Sequence, residues 1–556
     1  MVIAPQTNII LLKVPLELSN KNQLTFSNKQ AQYNYFNSLE KLERENTSYQ
    51  RKDGVIRFPE LIDNLFEYNY VMYRNEAYSE KWFYAFITSM RYLNDNTTEI
   101  SIATDCFQTW QFDLEYKQSF VEREMIAVNE DVAGANLIPE GLENGEMKVA
   151  QTFSLNNLRP IPCIAYTANS IPQEQAGNLK TFLEGSSING MYSPVTFIIC
   201  NSMGDFDLLL NCINLAGYGD YVISAFTVPY LAVSDFMTTE TKIGVDYTAY
   251  LLAEDTFTQT IFSFQNIPST PSNLDTYIPR NQKLRTYPYV YLGFNPSQGS
   301  SKIYRYEDFE NGKPNFTIIS EVNPNPTTIF IPQNYRGANA DSLQDITSLN
   351  GYPMLSTKTD YFNSWLAQNS SILSVQLQQE QFNYQVDAMK AGTNLFTSLL
   401  GNSLGEQNIG QLVSDSVNGA LNLASLDKNH EFYIKGQMAQ IEKQQLLPDK
   451  VTLGSSNTTL LSYDLLKDNI FTVYTIKRQF AERIDKFFDM YGYLTNTLKL
   501  PNLNNRPNWN YVKTIGINII SHIPQGDLQV IKNMFDNGIT LWHNPSTFLD
   551  YSQNNR

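Results

Sequence analysis

The sequence predicts a β-rich α+β fold: β domains, interrupted late in the chain by a helical, apolar excursion. Three observations carry this. Aromatic residues reach 13 % while charged residues stop at 17 %, which suits pleated, half-buried sheets and excludes disorder. Short runs of alternating or β-branched residues recur between Pro, Asn and Gly punctuation through residue 360. The pattern then switches to helical spacing around a nearly uncharged, glycine-rich stretch.

The elements follow in chain order. Leu12, Val14, Leu16 and Leu18 alternate with polar residues and predict a strand, with Pro15 marking an edge or bulge. Asp53-Gly54 before Val55-Ile56-Arg57-Phe58 predicts a hairpin turn. Trp82-Phe83-Tyr84-Ala85-Phe86-Ile87 and Glu99-Ile100-Ser101-Ile102-Ala103 predict strands joined through 94–96. Residues 1–160 thus form an N-terminal β domain, and 161–360 a central, mostly β domain. Within the latter, 195–200 and 287–292 are strands and 323–326 a loop.

Residues 361–449 form a helix–apolar loop–helix insertion. Helical spacing runs over 361–389 and again over 432–447. Between them, 391–426 holds two charges in 36 residues, Glu406 and Asp415. Its apolar residues are Leu395, Phe396, Leu399, Leu400, Leu404, Ile409, Leu412, Val413, Val417 and Leu421. Residues 450–556 form a C-terminal α+β domain. A helix is expected over 472–490 with Gly492 as its stop, then a helix from an Asp527 cap to Asn537 with Gly538 as its stop, and a last strand 539–542.

Charge and motifs narrow the function classes. The net charge of −16 disfavours non-specific nucleic-acid binding, which needs Lys and Arg on phosphates. Four cysteines (Cys106, Cys163, Cys200, Cys212) and three histidines (His430, His522, His543) show no zinc spacing, so no metal or cofactor is expected. Met1 to Ile10 lack the features of a secretory signal, and no window is long and apolar enough for a membrane helix, so synthesis in a cytoplasm is expected. Phosphate-loop, dinucleotide and hydrolase signatures are missing. Asp205 and Asp207 are the one candidate carboxylate pair for a polysaccharide-degrading enzyme. An aromatic-rich adhesin is a further alternative. Without a catalytic constellation, a structural protein is the expectation.

Several short segments carry a resemblance. They are Gln32-Tyr33-Asn34-Tyr35-Phe36-Asn37, Trp82-Phe83-Tyr84-Ala85-Phe86, Gln108-Thr109-Trp110, Ser119-Phe120-Val121 with Arg123-Glu124, and Glu140-Gly141-Leu142. Near the end come Tyr491-Gly492-Tyr493, Pro501-Asn502-Leu503, Asn510-Tyr511-Val512, Asp527-Leu528-Gln529 and Phe535-Asp536-Asn537-Gly538-Ile539-Thr540-Leu541-Trp542-His543. Together they resemble the tail knob proteins of Picovirinae-type podoviruses, over residues 30–145 and 470–545; 160–360 carries no such segment. The resemblance implies a virion protein: a homohexameric ring forming the distal tail tube. Apolar loops would plug its lumen, leave on infection, enter the host cell membrane and let genomic DNA pass without specific binding. A lower collar or upper tail tube protein and a tail-tip lytic protein are the implied neighbours. Trp82, Phe83, Tyr84, Trp110, Gly538, Leu541 and Trp542 are the implied structural positions. Residues 391–426 stand where the family has its apolar loop, with more Asn, Gln and Ser and no dense Gly/Ala/Met run.

Overall fold

Alternation in the first hundred residues builds a seven-stranded antiparallel sheet. Its order is Lys41–Arg44, Thr7–Leu12, Tyr70–Asn75, Ser79–Asn94, Thr97–Thr104, Val55–Phe58, Tyr49–Gln50. The structure, a computed structural model, describes residues 7–556 apart from 46, 48, 51–53, 76–78, 176–177, 183–185, 189–190, 240–241, 253–259, 297–300, 325, 340, 360, 363, 366–367, 370–427 and 453–469. Successive side chains of the sheet enter two cores. Ile10, Leu12, Tyr70, Met72, Tyr84 and Phe86 face one, with Phe36 of the helix Lys29–Ser38. Ile9, Leu11, Ile56, Phe58, Val71, Ala85 and Ile100 face the other. The hairpins at 94–96 and before Val55 form as expected, with Gly54 at φ +62°; Asp53 lies outside the described residues.

The expected strand over 12–18 is corrected: the ladder ends at Leu12. The Asn69 side chain takes the Val14 N–H (2.9 Å) and donates to its carbonyl (2.8 Å). Those groups are therefore occupied just before Pro15, which has no N–H to continue the ladder. Val14 and Leu16 are still buried, and Leu18 is exposed.

A second, five-stranded sheet joins the two ends of the described chain. Its order is Asn22–Leu24, Ile539–Trp542, Trp509–Ile515, Ser119–Glu124, Tyr493–Lys499, with only the first pair parallel. The helix Gln525–Asn537 packs beside it through Leu528, Ile531, Met534 and Phe535. Asp527 is not its cap: the helix starts after Pro524, and Asp527 sits in its first turn.

The expected helix over 472–490 is also corrected. Phe471–Ile476 is a strand, and the helix is Arg478–Tyr491. The β-branched run Thr472, Val473, Thr475 and Ile476 suits a sheet. Here it is the inner strand of a four-stranded sheet, Met147–Phe153, Phe471–Ile476, Val290–Phe294, Lys302–Tyr304. A second four-stranded sheet, Thr260–Phe264, Phe316–Ser320, Thr328–Pro332, Thr347–Leu349, shares its core. Phe264, Phe294, Phe316, Phe330 and Phe471 meet there, with Phe316 and Phe471 ring centres 4.7 Å apart. The strand expected at 287–292 is displaced to Val290–Phe294, after a cis Tyr287-Pro288 bond.

Another five-stranded sheet runs Ala249–Leu251, Thr196–Cys200, Pro160–Tyr166, Val222–Pro229, Met354–Leu355. Two helices that the sequence reading missed, Met203–Leu215 and Tyr230–Thr239, lie against it. Beyond it, Tyr361, Phe362, Ser364, Trp365, Gln368 and Asn369 are helical, and a helix spans Lys428–Gln445. The fold class is β-rich α+β, as expected.

Candidate functional site

The short motifs from both ends of the sequence converge on one junction beside the five-stranded sheet. Arg123 and Glu124 end the strand Ser119–Glu124. Arg123 donates through Nη1 to the Gly492 carbonyl (2.8 Å) and pairs through Nη2 with Glu140. Glu140 also pairs with Lys283 and accepts the Leu494 N–H (3.0 Å). This group is almost dry, with the Glu140 side chain 1 % exposed and that of Lys283 3 %. Removing one partner would leave buried charge uncompensated.

Glu124 is fully buried and accepts the Asn502 N–H (2.9 Å) and side-chain amide (3.0 Å), with Lys499 as its cation. Burial pushes its carboxyl above the usual range, against the pull of Lys499. Gly492 sits at φ +67°, and a Cβ there would overlap the Glu124 carbonyl. The helix stop is therefore also a point of close backbone approach. Asn510 Oδ1 accepts the N–H groups of Asn505 and Arg506 (both 3.1 Å) and lies 3.0 Å from His543 Nε2.

The sequence reading missed Asp485, although its signal was present: a carboxylate inside the apolar stripe Ala481, Ile484, Phe488. It accepts from Tyr277 Oη (2.7 Å), Arg280 N (2.8 Å), Asn281 N (3.0 Å) and Asn281 Nδ2 (2.7 Å). Asn281 reaches on to Arg556 (2.7 Å), which pairs with Asp131 (2.9 Å). The network ties the segment 277–283 to residues from both ends. With the Asp485 carboxylate filled by fixed donors in this way, its chemistry is that of a lock.

The aromatic positions brace the same region. Trp82 stacks on Tyr33 (5.5 Å) beneath the Arg74 guanidinium. Phe83 meets Trp110 edge-on (5.9 Å), and Tyr84 packs on Phe36 (4.9 Å). Trp110 Nε1 donates to Asp527 Oδ2 (2.8 Å), joining the N-terminal sheet to the C-terminal helix. Leu541 and Trp542 are buried in the last strand, and Trp542 Nε1 donates to Asn22 Oδ1 (3.1 Å). Gly538 sits at φ +90°, ψ 123°, so its φ is positive as expected while its ψ is not that of a left-handed cap.

Asp205 and Asp207 do not face each other as a carboxylate pair. Both lie in the first turns of Met203–Leu215, two residues apart, where side chains do not face each other. Asp205 is engaged structurally, with Ser202 Oγ (2.6 Å) and the Thr248 N–H (2.7 Å). All four cysteines are free and buried. Among the described residues no cluster of His, Cys, Asp or Glu could hold a metal ion, and no helix is long and apolar enough to cross a membrane. The candidate loop residues, Leu395 through Leu421, lie outside the described residues. The base of their excursion does not: Thr357–Thr359 pairs with Lys450–Thr452 as a two-stranded antiparallel ladder.

A family model described as Bacillus phage phi29 tail knob protein gp9, C-terminal domain, matches residues 254–556. One described as caudoviral major tail protein N-terminus matches residues 5–115. The latter spans the seven-stranded sheet and the short helix Cys106–Trp110 after it. The chain is similar to the tail knob protein gp9 of Bacillus phage PZA, at 26 % identity over 595 residues covering 97 % of this chain and 96 % of the relative. It is similar to that of Bacillus phage B103 at 27 % identity over 617 residues, covering 98 % of both. Its fold is like that of the solved bacteriophage C1 tail knob protein gp12, with a TM-score of 0.64 at 15 % identity over 98 % of each chain. The likeness therefore includes 160–360, where the sequence reading found no matching segment.

Proposed function

This chain belongs to the family of the phage phi29 tail knob protein gp9 and is a structural component of a phage tail; from that premise we propose that six copies close into a ring forming the distal tail tube. In this reading 1–160 and 450–556 build the tube together, 161–360 is the central domain, and 361–449 is an insertion at the lumen. Apolar residues of 391–426 plug the tube, leave it on infection and enter the host membrane, and DNA then passes through without specific binding. A lower collar or upper tail tube protein contacts one end and a tail-tip lytic protein the other. The role is mechanical, without catalysis.

The observation that carries this reading is the geometry of the excursion. The chain leaves the ladder at Thr359 and returns to it at Lys450 through adjacent strands, so the two ends of the excursion meet at one point. Within it, 36 residues carry two charges, in a chain whose net charge is −16. An acidic tube repels phosphate rather than holding it, and a closed ring covers sheet edges that would otherwise aggregate.

Negative-stain images of the purified protein should show six-fold rings with a central channel. Such rings should release dye from liposomes at neutral or mildly acidic pH. Leu399→Glu with Val413→Glu should abolish release and leave the ring intact. A protein that is monomeric and frees reducing sugar from cell-wall glycan would replace this reading with the hydrolase. Rings that release no dye at any pH would strike out membrane entry alone.

A further inference from the structure

The excursion is held at its base by more than its own ladder. Thr357, Lys358 and Thr359 face Thr452, Val451 and Lys450. A ribbon of three residue pairs is marginal in water without support. The support comes from one turn, 214–220, which begins in the last residues of the helix Met203–Leu215. Asn214 Nδ2 donates to the Lys358 carbonyl (3.1 Å). Asp220 pairs with Lys450 (3.0 Å), so the turn grips both the outgoing and the returning leg. Gln368 Nε2, nine residues beyond Thr359 in the chain, donates to the Gly217 carbonyl (3.0 Å).

Gly219 makes this approach possible. A Cβ there would lie 2.6 Å from Thr359 Cγ2 and 2.6 Å from Asn214 Oδ1. The turn is itself fixed, because Phe206, Leu209, Cys212 and Ile213 of the preceding helix are buried against the five-stranded sheet that includes Thr196–Cys200. Across the ladder, Lys358 pairs with Asp449 (2.7 Å), and the Lys450 ammonium lies 5.5 Å from the Tyr361 ring. Exposed ion pairs add little singly. The burial of Thr357 and the backbone approach at Gly219 carry the anchoring.

We propose that the Thr357–Thr359/Lys450–Thr452 ladder, clamped to the turn 214–220, is a permanent stem, so that the insertion changes position only beyond it. The proposal rests on the reading of 361–449 as an insertion that leaves the lumen. It makes the turn 214–220 a positioning element: the turn fixes where each of the six insertions starts and ends, and the two legs never separate.

Two measurements on the full-length assembly test it. In hydrogen exchange, peptides covering 357–359 and 450–452 should exchange as slowly as Thr196–Cys200. Gly219→Val should speed exchange in the ladder, Lys450→Met should change it little, and both should leave Pro160–Tyr166 unchanged. Ladder amides exchanging at free-peptide rates in the parent would overturn the stem. The second measurement uses Lys358→Cys with Val451→Cys, an exposed facing pair, and vesicles of phosphatidylethanolamine and phosphatidylglycerol. Oxidised and reduced rings should release dye equally. Release lost on oxidation and restored by reductant would mean that the legs must part, and the proposal fails. If the parent releases no dye, membrane entry fails instead, and hydrogen exchange decides the stem by itself.

Discussion

Gly538 joins the last helix to the last strand at φ +90°, and an added Cβ would overlap the Tyr511 hydroxyl. Gly538→Val should cost about 1–2 kcal/mol from backbone strain, before the steric overlap is counted. Thermal melting should show the loss, and Tyr511→Phe should restore part of it in Gly538→Ala, since the hydroxyl is the nearest atom. Two buried titratable groups nearby pull stability in opposite directions with pH. Asp105 accepts from Tyr70 Oη (3.0 Å) and the Gln108 N–H (3.0 Å), and burial pushes its carboxyl from 3.8 to about 6. The folded chain holds that proton more tightly, so this contribution is lost as pH rises from 3.8 through 6. His543 lies 2.7 Å from Thr25 Oγ1, and burial pushes it from 6.5 down to about 4. Its neutral form is favoured on folding, so its contribution is lost as pH falls from 6.5 to 4. Each shift corresponds to roughly 3 kcal/mol at full effect. Relative to the parent, His543→Gln should flatten the fall of Tm on acidification between pH 6.5 and 4, and Asp105→Asn should steepen it. Parallel Tm curves for all three would refute both assignments.

At the scale of elements, spacing alone misassigned Phe471–Ile476. Val473 and Ile476 continue the helical stripe of Phe480, Ile484 and Phe488, yet their backbone groups are taken by strands at 147–153 and 290–294. The helix Met203–Leu215 was missed because Asp205 and Asp207 were read only as a carboxylate pair. The structure makes Asp205 part of the helix start, where Ser202 caps its N–H (3.1 Å). Asp205→Asn should cost about 1 kcal/mol, as loss of a helix-start contact does. Asp207→Asn, at an exposed position, should cost nothing measurable. Particles carrying both changes should infect like the parent once correctly folded. Particles that assemble normally but stall at the cell wall would restore the carboxylate pair as a catalytic candidate.

At the scale of the molecule, the two ends are interleaved. Ile539–Trp542 lies between Asn22–Leu24 and Trp509–Ile515, and Phe471–Ile476 lies between Met147–Phe153 and Val290–Phe294. Limited proteolysis should therefore cut first within 391–426, and the two fragments should stay together on a native sizing column. They should separate only in denaturant. Recovery of a stable 1–160 fragment free of a stable 450–556 fragment would contradict this interleaving.

The sequence by itself determined the β-rich class, the hairpins around Gly54 and 94–96, the stops at Gly492 and Gly538, and the low-charge stretch 391–426. Each is a local matter of side-chain period, left-handed backbone or composition, legible within a few residues. The colinear motifs also pointed to the tail knob family before any geometry was known. Only the tertiary structure decided which strands pair, because partners such as Met147 and Ile476 lie hundreds of residues apart. It alone brought Glu140 to Lys283 and Asp485 to Asn281, since a buried charge is tolerable only beside partners the chain order does not reveal. The stem at Thr357–Thr359 and Lys450–Thr452 was illegible for the same reason. Each half is a short polar run, and what fixes it is the turn 214–220 from elsewhere in the chain.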